Sequence, residues 1–265
     1  MRQRKMSRRA AARLLAQSAA GVLLARNAGA AEETKADGKL ALLRRAIASS
    51  GETLPVIGLG TWRAFDAGTS AAELQPLEEV LALFVRLGGS VVDSSPMYGR
   101  AEEVVGEIAA KLHLHESLFL ATKVWTTGRP QGIDSMEKSL ARLQSKRVDL
   151  MQVHNLVDVQ TQLATLRAWK EQGRVRYLGI THRTSSSYPE VARLLRTEKL
   201  DFLQINYSLL EREADQEILP LAQERGVAVL VNRPFGGGDL FPGAPEADPG
   251  LGRGVRLSFL GAVSP

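Results

Sequence analysis

The chain of 265 residues contains no cysteine. That excludes disulfides, a thiolate nucleophile and a cysteine-based metal site. Residues 1–30 contain no acidic side chain, yet seven of the 34 basic residues fall there: Arg2, Arg4, Lys5, Arg8, Arg9, Arg13 and Arg26. The remaining 27 basic residues face 29 acidic ones, so the formal charge of +5 becomes −2 once this segment is set aside. No basic face remains to track phosphates, and no nucleic-acid partner is expected. A long apolar run is also missing. The stretch around Leu14–Ala25 is short and broken by Gln17 and Ser18, which argues against a spanning helix. Gly58-Leu59-Gly60 is followed by Thr61-Trp62-Arg63, so the GxGxxG fingerprint of a doubly wound sheet is not completed. His113 and His115 have no carboxylate cluster at ligand spacing beside them and read as a surface turn, with no metal expected.

What the first thirty residues do contain reads as an address. A basic start leads into Gly21-Val22-Leu23-Leu24-Ala25 and then into Ala28-Gly29-Ala30, a small-x-small cleavage signal. Ser7-Arg8-Arg9 is similar to the twin-arginine export motif, although Ala11 and Arg13 stand where Phe and Lys are expected. The expectation is a signal peptide over 1–30 that engages the export machinery and delivers the protein to the periplasm, with no stable membrane insertion after cleavage. An ordinary basic amphipathic leader or an uncleaved anchor is the alternative. Export of a folded, disulfide-free protein suits a cofactor loaded before transport.

Beyond the leader, strand-like and helical segments alternate. Strand-like runs are Val56–Leu59, Ser90–Val92, Leu118–Val124, Val148–Val153, Val175–Ile180, Leu200–Ile205 and Val227–Val231. They are nearly continuous hydrophobic runs, as expected for parallel strands buried on both faces. Between the first two, Leu74, Leu77, Leu81, Phe84 and Leu87 keep helical spacing. Ser70 with Glu73 predicts a capping-box start for that helix, and Gly88-Gly89 its stop. Asp134 with Glu137 predicts a similar start for the helix carrying Met136, Leu140 and Leu143. Seven such units predict an α/β fold of the (β/α)₈ TIM-barrel type. Its barrel would occupy 31–238, with an irregular tail over 239–265.

Four residues stand at or just past strand ends: Asp93, Tyr98, Lys123 and His154. In a parallel barrel those ends share one face, where an acid, a phenol, an amine and an imidazole would form a proton-transfer site. Each alone is more often structural: a Tyr packs, a Lys reaches solvent, an Asp caps a turn. Four together at matching strand ends argue otherwise.

Several motifs make the chain resemble the aldo/keto reductase family of nicotinamide-dependent carbonyl reductases. Gly58-Leu59-Gly60-Thr61-Trp62 is similar to that family's first strand, and Ala46–Pro55 to the hairpin closing the barrel bottom. Val92-Asp93-Ser94-Ser95-Pro96-Met97-Tyr98-Gly99, Ala121-Thr122-Lys123-Val124-Trp125 and Gln152-Val153-His154-Asn155 resemble its Asp-to-Tyr, Lys and His segments. The resemblance implies a small carbonyl substrate and NADP(H), or NAD(H), as cofactor. Tyr98 would donate the proton, with Lys123 lowering the phenol pKa, Asp93 orienting Lys123, and His154 holding the substrate oxygen.

By the same resemblance Thr61, Trp62 and Asp93 would lie near the cofactor. Thr181, Gln204 and Asn206 would contact the nicotinamide carboxamide, with His182 standing where the family often has Asn. Arg233, Phe235 and Gly236 would serve as platform and pyrophosphate cradle. Trp125 would wall the substrate pocket or, equally, lie as a lid over the barrel rim. Two other readings are a catalytically impaired barrel that binds nicotinamide as a sensor or partner subunit, and an exported scaffold domain.

After Gly238 the periodicity stops. Residues 236–265 hold eight Gly and four Pro, which break helices and strands alike. The eighth βα unit is therefore expected to be missing or replaced, with only Val255–Leu260 offering a makeshift strand. The consequences expected are a truncated family member, weak NADP(H) binding with little preference over NAD(H), and a tendency to aggregate.

Overall fold

The computed structural model describes residues 42–236. Within them a short antiparallel hairpin, β1 (Arg44–Ala46) and β2 (Thr53–Pro55), precedes seven parallel strands. These are β3 (Leu59–Gly60), β4 (Val91–Asp93), β5 (Phe119–Val124), β6 (Val148–His154), β7 (Val175–His182), β8 (Phe202–Asn206) and β9 (Ala228–Asn232). Each pairs with its sequence neighbours, in the order β3-β4-β5-β6-β7-β8-β9. Between them run α1 (Ala71–Arg86), α2 (Ala101–Lys111), α3 (Arg129–Arg142), α4 (Val159–Glu171), α5 (Tyr188–Thr197) and α6 (Ile218–Glu224). This is the (β/α)₈ barrel plan through its seventh strand. The expectations for the eighth unit, for the tail and for the signal peptide fall on residues outside those described.

Helix α1 begins as its sequence implies. Ser70 Oγ accepts from Glu73 N at 3.4 Å, and Glu73 reaches back to Gly68 N at 3.2 Å rather than to the Ser70 amide. For α3 the expectation needs correction. It starts at Arg129, with Gly128 at the N-cap position and Pro130 in its first turn, so Asp134 lies inside it and pairs with Lys138 at 2.7 Å. Proline is tolerated where the amide has no helical partner, and that opens the helix early.

The strands read as unbroken hydrophobic runs because both faces are covered. Outward residues such as Val92, Leu120, Met151, Ile180, Leu203 and Val231 pack under the helices. Inward residues form a second cluster: Val91, Phe119, Ala121, Leu150, Tyr177, Phe202 and Leu230, closed from below by Ile47 and Leu54 of the hairpin. Phe119, Tyr177 and Phe202 meet at ring-centroid distances of 5.6–6.0 Å. Space for them comes partly from Gly179, where a Cβ would stand 2.6 Å from the Phe202 carbonyl oxygen. The Tyr177 hydroxyl is satisfied by Glu52 at 2.6 Å and Ser50 at 2.8 Å in the hairpin turn.

Candidate active site

Towards the C-terminal strand ends the inward side chains become polar. Alternation along each strand puts Lys123 two residues above Ala121 and four above Phe119 on one face. The register then sets Asp93 beside Ala121, Lys123 beside Gln152, His154 beside Thr181 and Asn206 beside Asn232. Asp93, Lys123, His154, Thr181, Asn206 and Asn232 line a cavity of about 660 Å³ that also includes Thr61, Trp62, Tyr98 and Trp125.

Lys123 is 1% exposed. Its ammonium donates to both Asp93 carboxylate oxygens at 2.9 Å and to the Ser94 carbonyl at 2.7 Å. Burial works against its charge, but Asp93 and then Tyr98 more than offset it, so the Lys123 pKa stands above its ordinary value. The ammonium sits 5.1 Å from the centre of the Tyr98 ring. Thr61 braces the same corner, donating to the Asp93 carbonyl at 3.1 Å and the Ser94 hydroxyl at 2.9 Å.

The phenol differs from expectation. Burial pushes the Tyr98 pKa up; Lys123 pulls it down, Asp93 pushes it up again, and the net result lies above the ordinary value. Lys123 therefore moderates the rise instead of bringing the phenol below its solution value. His154 stands edge-on to Tyr98, with ring centroids 6.5 Å apart. Burial, then Lys123, His182 and Arg183, lowers its pKa to about 3. The imidazole is neutral at any ordinary pH. Its Nδ1 lies 3.4 Å from Ser95 Oγ, which itself accepts from the Met97 amide. Ser95 can thus donate to Nδ1, leaving Nε2–H to point at a ligand.

Alternation also decides the remaining residues. Thr181 is buried and faces the cavity. His182, next along the strand, turns to the other side, where its ring accepts from Thr184 N at 3.2 Å and meets Ser187 Oγ at 3.0 Å. It organises a loop and does not reach the cavity. Asn206 lines the cavity, but Gln204 lies one layer below it, accepting from Gln152 at 3.2 Å. Asn206 Nδ2 donates to the Arg183 carbonyl at 2.8 Å, and its Oδ1 is buried with no hydrogen-bond partner among the described residues. Arg233 lines the cavity and bonds the Gly236 carbonyl at 3.2 Å, while Phe235 and Gly236 do not line it. Trp62 and Trp125, 47% and 45% exposed, stand at the rim.

Sequence reasoning passed over Asn155, Arg183 and Asn232, which also line the cavity. Asn232 could have been found as a polar residue ending a hydrophobic run. Asn155 could not, because its left-handed backbone (φ 51°) sets its position. Among the described residues no group of His, Asp and Glu is arranged to hold a metal ion.

Residues 56–250 match the sequence profile of the aldo/keto reductase family. The chain is 29% identical over 189 residues to methylglyoxal reductase YeaE of Escherichia coli K12, covering 69% of this chain and 65% of that protein. It is 26% identical over 200 residues to aldo-keto reductase YhdN of Bacillus subtilis, covering 70% and 60%. The chain thus spans less than two thirds of the length of these curated relatives. An aldo-keto reductase of Klebsiella pneumoniae solved with NADPH superposes with a TM-score of 0.65, at 26% identity, over 76% of this chain and 72% of that one.

Proposed function

Since the chain belongs to the aldo/keto reductase family, we propose that it reduces the carbonyl group of a small aldehyde or ketone, using NADP(H) bound across the open strand ends. The observation that carries this reading is the buried Asp93–Lys123 pair set against Tyr98 and a neutral His154 around one cavity. The cavity also suits the cofactor. The unpartnered Asn206 Oδ1 offers an acceptor for a carboxamide N–H, and Thr181 offers a hydroxyl beside it. When bound, the nicotinamide supplies the hydride.

The chain's own groups do the rest. Nε2–H of His154 holds the carbonyl oxygen, and Tyr98 Oη–H delivers a proton to it as negative charge develops. A phenol kept above its ordinary pKa is fully protonated at neutral pH, so the acid is always loaded. Lys123 stabilises the phenolate left behind, and Asp93 keeps Lys123 charged and in place.

The test is NADPH-dependent reduction of methylglyoxal and of an aryl aldehyde, followed through loss of reduced-nicotinamide absorbance. Saturable turnover that disappears in Tyr98→Phe supports the reading. Cofactor binding without turnover of any reactive aldehyde would replace it with the sensor alternative. For location we propose export through residues 1–30. Arg8→Lys combined with Arg9→Lys should then retain uncleaved protein in the cytoplasm, and mature periplasmic protein from that variant would point to the general export route.

A further inference from the structure

Glu102 has no part in the chemistry above, yet it is fully buried. It lies in the first turn of α2, four residues after Tyr98. Its Oε1 accepts from Thr122 Oγ1 at 2.5 Å; Thr122 is itself fully buried and immediately precedes Lys123. Its Oε2 accepts from Ser139 Oγ at 3.2 Å and from Arg142 Nε at 2.7 Å, both on α3. One carboxylate thus ties the helix that follows Tyr98 to the strand that carries Lys123.

An apolar side chain at this place would hold α2 on the sheet without the desolvation cost of a buried charge. A carboxylate with three hydrogen-bond donors contributes direction instead: it fixes which residue of α2 faces which residue of β5. A second contact narrows the fit. At Gly106, one turn further along α2, a Cβ would stand 2.2 Å from the Arg142 carbonyl oxygen, so α2 lies directly on the end of α3. Tyr98 is connected to this locked turn, its carbonyl accepting from Ala101 N at 3.1 Å. Between Tyr98 and that turn, Arg100 N donates to Asp66 at 3.0 Å.

We infer that Glu102 is a positioning residue, and that its bond to Thr122 sets the separation of Tyr98 from Lys123. This rests on the reductase reading for its kinetic consequence but not for its geometry. The strand side of the tether, Thr122, should matter to Tyr98; the α3 side, Arg142, should matter only to stability.

The test compares full-length Thr122→Val, Thr122→Ser and Arg142→Met without cofactor, following Tyr98 by NMR of carbon-13-labelled tyrosine, its signal identified with Tyr98→Phe. Among the described residues, the charged or titratable groups facing Tyr98 are Lys123, Asp93 and His154. Once the ring recedes from Lys123, its titration midpoint should rise by about half a pH unit or more in Thr122→Val. It should return in Thr122→Ser and stay unchanged in Arg142→Met, although Arg142→Met also loses an ion pair. In turnover, Thr122→Val should lower kcat about tenfold while KM for the aldehyde stays within about twofold.

Should Thr122→Val not fold, Glu102→Asp keeps the charge but draws the acceptor back by one methylene, and the same shift is expected. A folded Thr122→Val or Glu102→Asp with the wild-type Tyr98 midpoint would overturn the inference, as would an equal shift in Arg142→Met. A wild-type protein that reduces no aldehyde would defeat the reductase reading alone, leaving the titration to decide the tether.

Discussion

The two ends of the barrel interior are built from the same strands and obey opposite rules. At the bottom, Phe119, Tyr177 and Phe202 fill the space with rings, and the hairpin closes it. The one polar tip there, the Tyr177 hydroxyl, has both its neighbours in place. At the top, Asp93, Lys123, His154, Thr181, Asn206 and Asn232 surround open space. There Asn206 Oδ1, and Gln152 Oε1 just beneath, are buried without a partner among the described residues. Satisfied groups and packed rings stabilise the fold; unsatisfied groups around a void leave free energy for a ligand to supply. The apolar layer holds the strands in register, and the polar layer inherits its precision from them. Removing a group from either end should therefore give different signatures.

The largest effect is expected at the top. Tyr98→Phe should lower carbonyl reduction by about 10²–10⁴ while leaving thermal stability close to wild type. Reduction of a good aldehyde at the wild-type rate would remove Tyr98 from its role. At the bottom, Phe202→Ala should cost about 3–5 kcal/mol of folding free energy, read from denaturant unfolding. A loss under about 1 kcal/mol would mean that the aromatic layer is not what holds the sheet.

A smaller effect tests the unpartnered acceptor. Asn206→Leu should weaken nicotinamide cofactor binding roughly tenfold in a tryptophan-fluorescence titration, the equivalent of one lost hydrogen bond. Unchanged affinity would show that Asn206 does not meet the carboxamide.

A further prediction concerns pH. The folded pKa of His154, about 3, lies below the ordinary 6.5. The unfolded chain therefore takes up a proton that the folded one refuses. The contribution of His154 is present above pH 6.5 and is lost as pH falls from there towards 3. His154→Gln should flatten the decline of stability across that window. An equally steep decline in the variant would assign it to other groups.

Much of this was legible in the sequence. The hydrophobic runs located the strands, and the polar residues ending them located Asp93, Lys123 and His154, because a buried strand changes composition where it meets the open face. Ser70 and Glu73 marked a helix start for a local reason, a side chain bonding its own backbone. The start of α3 was misread because Gly128 is held from outside, its amide donating to Asp158 at 2.7 Å, which no local pattern reveals.

The sequence by itself determined the order of strands and helices and the presence of four titratable groups at or just past strand ends, because period and local bonding are properties of neighbours along the chain. The tertiary structure alone decided which groups face one another. Register turned Asn206 into the cavity, left Gln204 below it and sent His182 outside. Burial set the direction of the Tyr98 and His154 shifts, since desolvation depends on everything packed around a group. Glu102 shows the division most sharply. In sequence it is one acid in a helix, and only the meeting of α2, β5 and α3 gives its carboxylate three donors behind Tyr98 and Lys123.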